Sequence, residues 1–199
     1  NQPGCYRDVK DTTVTAQFRA VKPEQLANDF QRSVFAGSDA PSDVYFLAWT
    51  TTPWTLSSNT ALCVGADIDY VAVRSFNPYT GSPITAVVAR ALLHTLFSKD
   101  HEGQEALEAY QPGDKKLPYL VVAEWKGKEL VGMRYEQLLP WMRPDGDAFR
   151  VIAGDYVTTV DGTGIVHIAP TFGADDNKVA KAAGIGALTV VDKDGNIRP

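Results

Sequence analysis

Three threonines, Thr50, Thr51 and Thr52, stand directly before Pro53 and Trp54 in the stretch AWTTTPWTLSSNTALCV, residues 48–64. Hydroxyls at the end of an apolar segment can hold an ester carbonyl, a hydroxyl or a phosphate oxygen, provided the backbone turns there. Pro53 supplies the turn, because it restricts Thr52 to extended geometry and suits the first position of a helix. The triplet is therefore expected to close a strand and open a short helical turn with exposed N–H groups. Threonine is also a good strand residue and a good N-cap, so the pattern has a sufficient structural reason as well.

A second stretch, GIVHIAPTFGADD (164–176), offers an imidazole and two carboxylates. His167 falls mid-strand, Pro170 ends that strand, and Asp175 and Asp176 fall in the first turn of a helix. Acids at a helix start gain about 0.3–1 kcal/mol from the dipole, and a strand histidine is commonly a packed core residue. Together, a strand-end histidine and a nearby carboxylate can form one polar pocket wall.

Other chemistries find no footing. No G-x-S-x-G elbow accompanies the serines, and neither G-x-x-x-x-G-K-[ST] nor G-x-G-x-x-G occurs, so a serine hydrolase and the common nucleotide-binding loops are excluded. Two cysteines, Cys5 and Cys63, and three histidines give no zinc-ligand spacing. No metal or cofactor is expected, and free thiols suit a reducing, cytoplasmic compartment. The formal net charge of −5 gives no global attraction for nucleic acid. Local basic groups (Lys115 and Lys116, Lys126 and Lys128, Arg134 and Arg143) are as readily solvated surface. No apolar run approaches the roughly 20 residues of a membrane span, and residues 1–11 lack the apolar core of a signal peptide.

These residues need elements to hold them. At 199 residues, one substantial core is the expectation. Val14, Ala16, Phe18 and Ala20 alternate with polar residues, which predicts a half-buried strand. Residues 43–50 are continuously apolar and predict a strand covered on both faces. Residues 60–64, 69–76, 82–89 and 117–125 read as further strands. Leu92, Leu93, Leu96 and Phe97 suit a short helix, and 98–117 is a polar surface excursion. Asp161 and Gly162 signal a turn, predicting a hairpin between FRVIAGDYVTT and GTGIVHIAP. Val179, Ala182 and Ala183 recur at helical spacing up to Gly184. Many short strands with few helices predict a mainly β, α+β fold with a barrel-like core.

WTTTPWTL..N together with DGTGIVHIAP.FGADD resembles the editing domain of isoleucyl-tRNA synthetase, an insertion in the Rossmann core of that class I enzyme. YRDVKDTTVTAQF is similar to the start of that insertion and KGKELVGMRYEQLLP to its L-x-G-x-x-Y-E segment, so the resemblance spans the whole chain. The valyl and leucyl relatives carry Thr-Thr-Arg-Pro where this chain has Thr-Thr-Thr-Pro-Trp. Ser57 and Ser58 depart from the Pro plus small residue common in the family. The resemblance implies one editing domain over 1–199, with about 1–11 and 190–199 as connections to the synthetase body. It implies hydrolysis of valyl-tRNA(Ile), and of valyl-adenylate. It assigns Asp176 to the substrate ammonium, Thr50, Thr51 and Thr52 to the adenosine and ester oxygen, His167 to a size-limiting wall, and Trp54 and Asn59 to the adenosine site. The implied partners are the 3′ end of tRNA(Ile) and the rest of the synthetase. ATP binding belongs to the full-length enzyme, because the H-x-G-H and K-M-S-K-S type signatures are absent here. Two alternatives stand beside this reading: a non-catalytic module that binds the tRNA end or packs on the synthetase, and an editing domain of valyl or leucyl specificity.

Overall fold

Alternation along β1 (Val14–Arg19) buries Ala16 and Phe18 on one face, as a half-buried strand requires. A computed structural model describes residues 10, 12–35 and 43–196 of the chain. Cys5 and nearly all of the 1–11 connection lie outside the described residues.

β1 runs antiparallel to β2 (Asp43–Thr50), with Val14 opposite Thr50 and Arg19 opposite Tyr45. β2 is covered on both faces: Phe46 and Ala48 enter the main core, while Leu47 packs on the opposite side with Val71, Val88 and Phe97. β5 (Pro83–Ala89) lies parallel to β2, and β4 (Asp69–Phe76) and β6 (Leu120–Lys126) complete a five-stranded sheet in the order β1-β2-β5-β4-β6. A three-stranded sheet holds β3 (Ala61–Val64) between β7 (Arg150–Ala153) and β8 (Ile165–Ile168).

Residues 132–136 stitch the two sheets together. The N–H groups of Val21 and Glu136 donate to Arg134 O and Arg19 O on the β1 side, and Tyr135 N and Val151 N bond Phe149 O and Met133 O on the β7 side. At the end of the central strand β5, Ala89 N donates to Thr163 O just ahead of β8 at 2.9 Å. The strands thus curl around one core of Phe18, Phe46, Leu62, Tyr70, Tyr135 and Val151. This is the α+β, barrel-like arrangement that the sequence predicts.

Helices cover the outer faces. α2 (Leu93–Leu96) lays Leu93 on the five-stranded sheet. α4 (Ala174–Ala182) lays Ala180 against Ala61, Cys63 and Ile168 of the three-stranded one. Gly184 ends α4 with φ +68°, and Ile185 N returns to Ala180 O, a left-handed termination that glycine adopts without steric cost. The excursion 98–117 carries α3 (Gln104–Ala109) and is pinned where Tyr110 stacks on Phe76 at 4.2 Å.

Two features differ from expectation. β7 and β8 form no hairpin: Asp161 and Gly162 do turn the chain, but β3 lies between the two strands, parallel to β7 and antiparallel to β8. The turn signal is local, whereas β3 enters from about 90 residues upstream and claims both edges. Also, α1 (Asp29–Phe35) is a helix that the sequence pattern does not announce. Its only fully buried residue is Phe30, set edge-on against Trp125 of β6 at 4.4 Å, so it shows little apolar period.

Candidate functional site

β2 ends at Thr50 and a 3-10 helix runs Pro53–Ser58, with Pro53 opening it and Thr52 at its N-cap. The corner predicted from Pro53 is therefore present, and Ser57 and Ser58 lie buried within that helix. β8 carries His167, paired in register with Leu62. Just beyond it, Asp176 in the first turn of α4 accepts the N–H of Ala169 at 2.8 Å through Oδ2. That bond ties the start of α4 to the end of β8 and leaves the other carboxylate oxygen for a ligand.

These elements frame one open cleft of about 300 Å³. Thr50 and Thr51 from the corner, His167 from β8 and Asp176 from α4 all line it. Tyr156, Asp161 and Thr163 add to the lining, and no Lys or Arg does. With two carboxylates and no cation, the cleft favours a positively charged ligand group. Tyr156 has no sequence signal of its own, because it is brought in only by the unpredicted course of the chain from β7 to β8.

The structure does not bring every expected residue to the lining. Thr52 turns its hydroxyl toward Thr50 Oγ1 and Thr55 Oγ1, each at 3.3 Å. Asn59 is buried, accepting from the Tyr135 hydroxyl at 2.6 Å and donating to Ala61 O at 2.8 Å, so it braces the core behind the corner. Trp54 is 53% exposed on the 3-10 helix and stands outside the cleft lining. Its indole can meet only a ligand that extends past the corner.

Burial sets the electrostatics. It holds the His167 imidazole down at about 4, so the ring is neutral near pH 7. Burial also raises Asp176, an effect opposed by the Ala169 N–H and reinforced by Asp175. The carboxylate is thus incompletely solvated, and an ammonium ion in the cleft would restore its lost interactions. Among the described residues, no group of three or more His, Cys, Asp or Glu side chains could hold a metal ion.

Basic surface groups are partly spoken for: Lys126 pairs with Asp69 at 2.6 Å and Arg134 with Asp147. Another hollow, about 270 Å³, lies beside Arg19, Arg74 and Asp43, but Arg19 there is already bridged to Asp43 and Glu136. Among the described residues no helix is long and apolar enough to cross a membrane.

No protein-family model matches the chain. Over its whole length it is 60% identical to a segment of an isoleucine--tRNA ligase from Porphyromonas gingivalis and 62% identical to one from Bacteroides fragilis. It spans 16% of each of those relatives. A ligase of the same name from Treponema denticola is 41% identical over 95% of the chain, which spans 17% of that relative. Among solved structures, the Plasmodium knowlesi cytosolic leucyl-tRNA synthetase editing domain superposes with a TM-score of 0.59 at 14% identity, covering 92% of this chain and 73% of that one. A leucyl-tRNA synthetase CP1 domain gives 0.58 at 18% identity, covering 87% and 65%. At such identities the likeness is one of fold.

Proposed function

We propose a function from one premise: the chain belongs to the isoleucine--tRNA ligase family, as the segment with the editing-domain fold. On this reading the cleft hydrolyses the ester of valyl-tRNA(Ile), and valyl-adenylate presents the same acyl group and ammonium to the same walls. The carrying observation is that Thr50, Thr51, His167 and Asp176, drawn from three separate elements, line one cleft that holds two carboxylates and no cation.

An attractive pocket gains only about 1–3 kcal/mol for isoleucine over valine from one methylene, the well-known limit for this very pair of amino acids. A second cleft can instead refuse the larger side chain, since overpacking a tight site costs about 1–3 kcal/mol. Asp176 binds the substrate α-ammonium through its free oxygen and so orients the ester. Thr50 and Thr51 hold the ester oxygen and the ribose. His167, neutral and buried, limits the length of the side chain. Trp54 stands where the terminal adenosine leaves the corner, and Asn59 keeps the corner rigid through Tyr135. Water attacks the ester carbonyl, positioned by these contacts and by a ribose hydroxyl of the substrate. The remainder of the synthetase delivers the tRNA end, and the work is cytoplasmic.

The test is deacylation of valyl-tRNA(Ile) by the purified chain at high concentration, with and without EDTA. Release of valine, insensitive to EDTA, with isoleucyl-tRNA(Ile) spared, supports the reading. Binding of the charged tRNA without any release would instead make this a non-catalytic module. Release from threonyl-tRNA(Val) or methionyl-tRNA(Leu) in place of valyl-tRNA(Ile) would assign it a different specificity.

A further inference from the structure

Hydrogen bonds close a tight loop between β8 and α4. Ala169 N donates to Asp176 Oδ2 at 2.8 Å, and Ala169 O accepts from Phe172 N at 2.9 Å and Gly173 N at 3.3 Å. Asn177 adds two more ties, its N donating to Gly173 O at 2.9 Å and its Nδ2 to Pro170 O at 3.2 Å. Gly173 lies against the Asp176 side chain. A Cβ built on Gly173 would stand 3.0 Å from Asp176 Cγ, 3.1 Å from its Oδ2 and 3.2 Å from its Cβ, the three nearest atoms outside residues 172–174. The backbone itself gives no reason for glycine, since φ −118° and ψ 133° are extended values that any residue adopts. What the missing side chain provides is room for one carboxylate.

We propose that Gly173 is a positioning residue: by leaving empty the space a Cβ would fill, it lets Asp176 fold back onto Ala169 N and so fixes which carboxylate oxygen is left for the cleft. Ordinary carbon contacts lie near 3.5 Å, so a side chain here would drive the carboxylate outward by on the order of 0.5 Å, or into another rotamer. Either movement loosens the bond to Ala169 N and re-aims the free oxygen. Misplacing a reacting group by about 1 Å can cost about a hundredfold in rate, so half that distance predicts a loss of roughly tenfold. The inference rests on the editing reading for its kinetic readout alone, because the placing of Asp176 is a property of the unliganded chain.

The experiment compares the unaltered chain, Gly173→Ala, Asp176→Ala and the double variant by valyl-tRNA(Ile) deacylation, thermal melting and NMR titration of the Ala169 amide. In the unaltered chain the Ala169 amide proton should follow the protonation of Asp176. Gly173→Ala should blunt that response and lower kcat roughly tenfold, with KM for the charged tRNA hardly changed. Its Tm should also hardly change, because the less flexible unfolded chain offsets the poorer N-cap. Added to Asp176→Ala, where the carboxylate is gone, the same change should cost no further rate. An Ala169 amide blind to Asp176 in the unaltered chain overturns the proposal, and so does an unchanged amide or an unchanged rate in Gly173→Ala. Equal losses with and without the carboxylate, or a Gly173→Ala chain that fails to fold, overturn it as well, since Gly173 would then act through something other than Asp176. Absence of any deacylation by the unaltered chain would sink the editing reading, and the amide response would alone decide whether Gly173 places Asp176.

Discussion

At the scale of single residues, the proposed function gives Asp176 a second task beside its bond to Ala169 N, and one substitution can separate the two. Asp176→Asn keeps an oxygen for Ala169 N but removes the charge, so deacylation of valyl-tRNA(Ile) should fall by about 10–100-fold, as expected for loss of a charge-assisted contact, while the melting temperature hardly moves. Asp175→Asn should do little, because that side chain points roughly 100° away around the helix. Equal losses from the two changes would remove Asp176 from its role. On the proposed function, His167→Ala should deacylate isoleucyl-tRNA(Ile), which the unaltered chain should spare. If His167 were a base, both rates would drop together. The same ring sets a pH signature. The unfolded histidine protonates below about 6.5, whereas the folded one resists down to about 4. The unfolded chain therefore binds more protons in that window, and stability, fully present above 6.5, is lost as pH falls toward 4, by on the order of 3 kcal/mol. Asp176, shifted upward, acts with the opposite sign and strengthens the fold as pH falls. Urea denaturation of His167→Gln should show a flatter acid limb than the unaltered chain, and identical slopes would contradict the buried neutral ring. Thr50, Thr51, His167 and Asp176 were legible because Pro53 and Pro170 mark where strands end. The inward turn of Asn59 was not, since the direction of a side chain just past the end of a 3-10 helix depends on what packs behind it.

At the scale of elements, the cleft depends on β5 and β8 lying close at the Ala89 to Thr163 bond. Gly164 makes this possible: its φ is +73°, and a Cβ there would stand 2.3 Å from the Ala89 Cβ. Gly164→Ala combines left-handed strain with overpacking at about 1–3 kcal/mol. It should lower Tm by roughly 5–10 °C and slow deacylation, as measured by thermal melting beside the valyl-tRNA(Ile) assay; an unchanged Tm would show that this junction is loose. The strands themselves were readable from their two-residue period, as at Val14, Ala16 and Phe18. The partner order was not. Asp161 and Gly162 announce a turn, but nothing local tells that Leu62 and Val64 arrive to separate β7 from β8. α1 is hard to read from the sequence because Phe30 is its one fully buried residue and Val34 and Phe35 are only partly covered, although Asn28, whose Oδ1 accepts from Gln31 N at 2.9 Å, is an N-cap signal for its start.

At the scale of the whole molecule, the chain is a segment spanning about one sixth of its ligase relatives, and its architecture separates support from chemistry. One core between the two sheets holds the corner at Thr50 and the strand of His167 in fixed relation, while α4 brings Asp176 from the far face of the smaller sheet. A cleft assembled from parts this distant in sequence can be fixed to the shape of one amino acid only if those parts do not slide. The most direct measurement is the structure of this chain with a non-hydrolysable valyl-adenosine analogue. The account predicts the ammonium on Asp176, the isopropyl group against His167, the ester-equivalent atoms beside Thr50 and Thr51, and adenine running toward Trp54. An analogue seated elsewhere, or lying in this cleft with its ammonium turned away from Asp176, would contradict it.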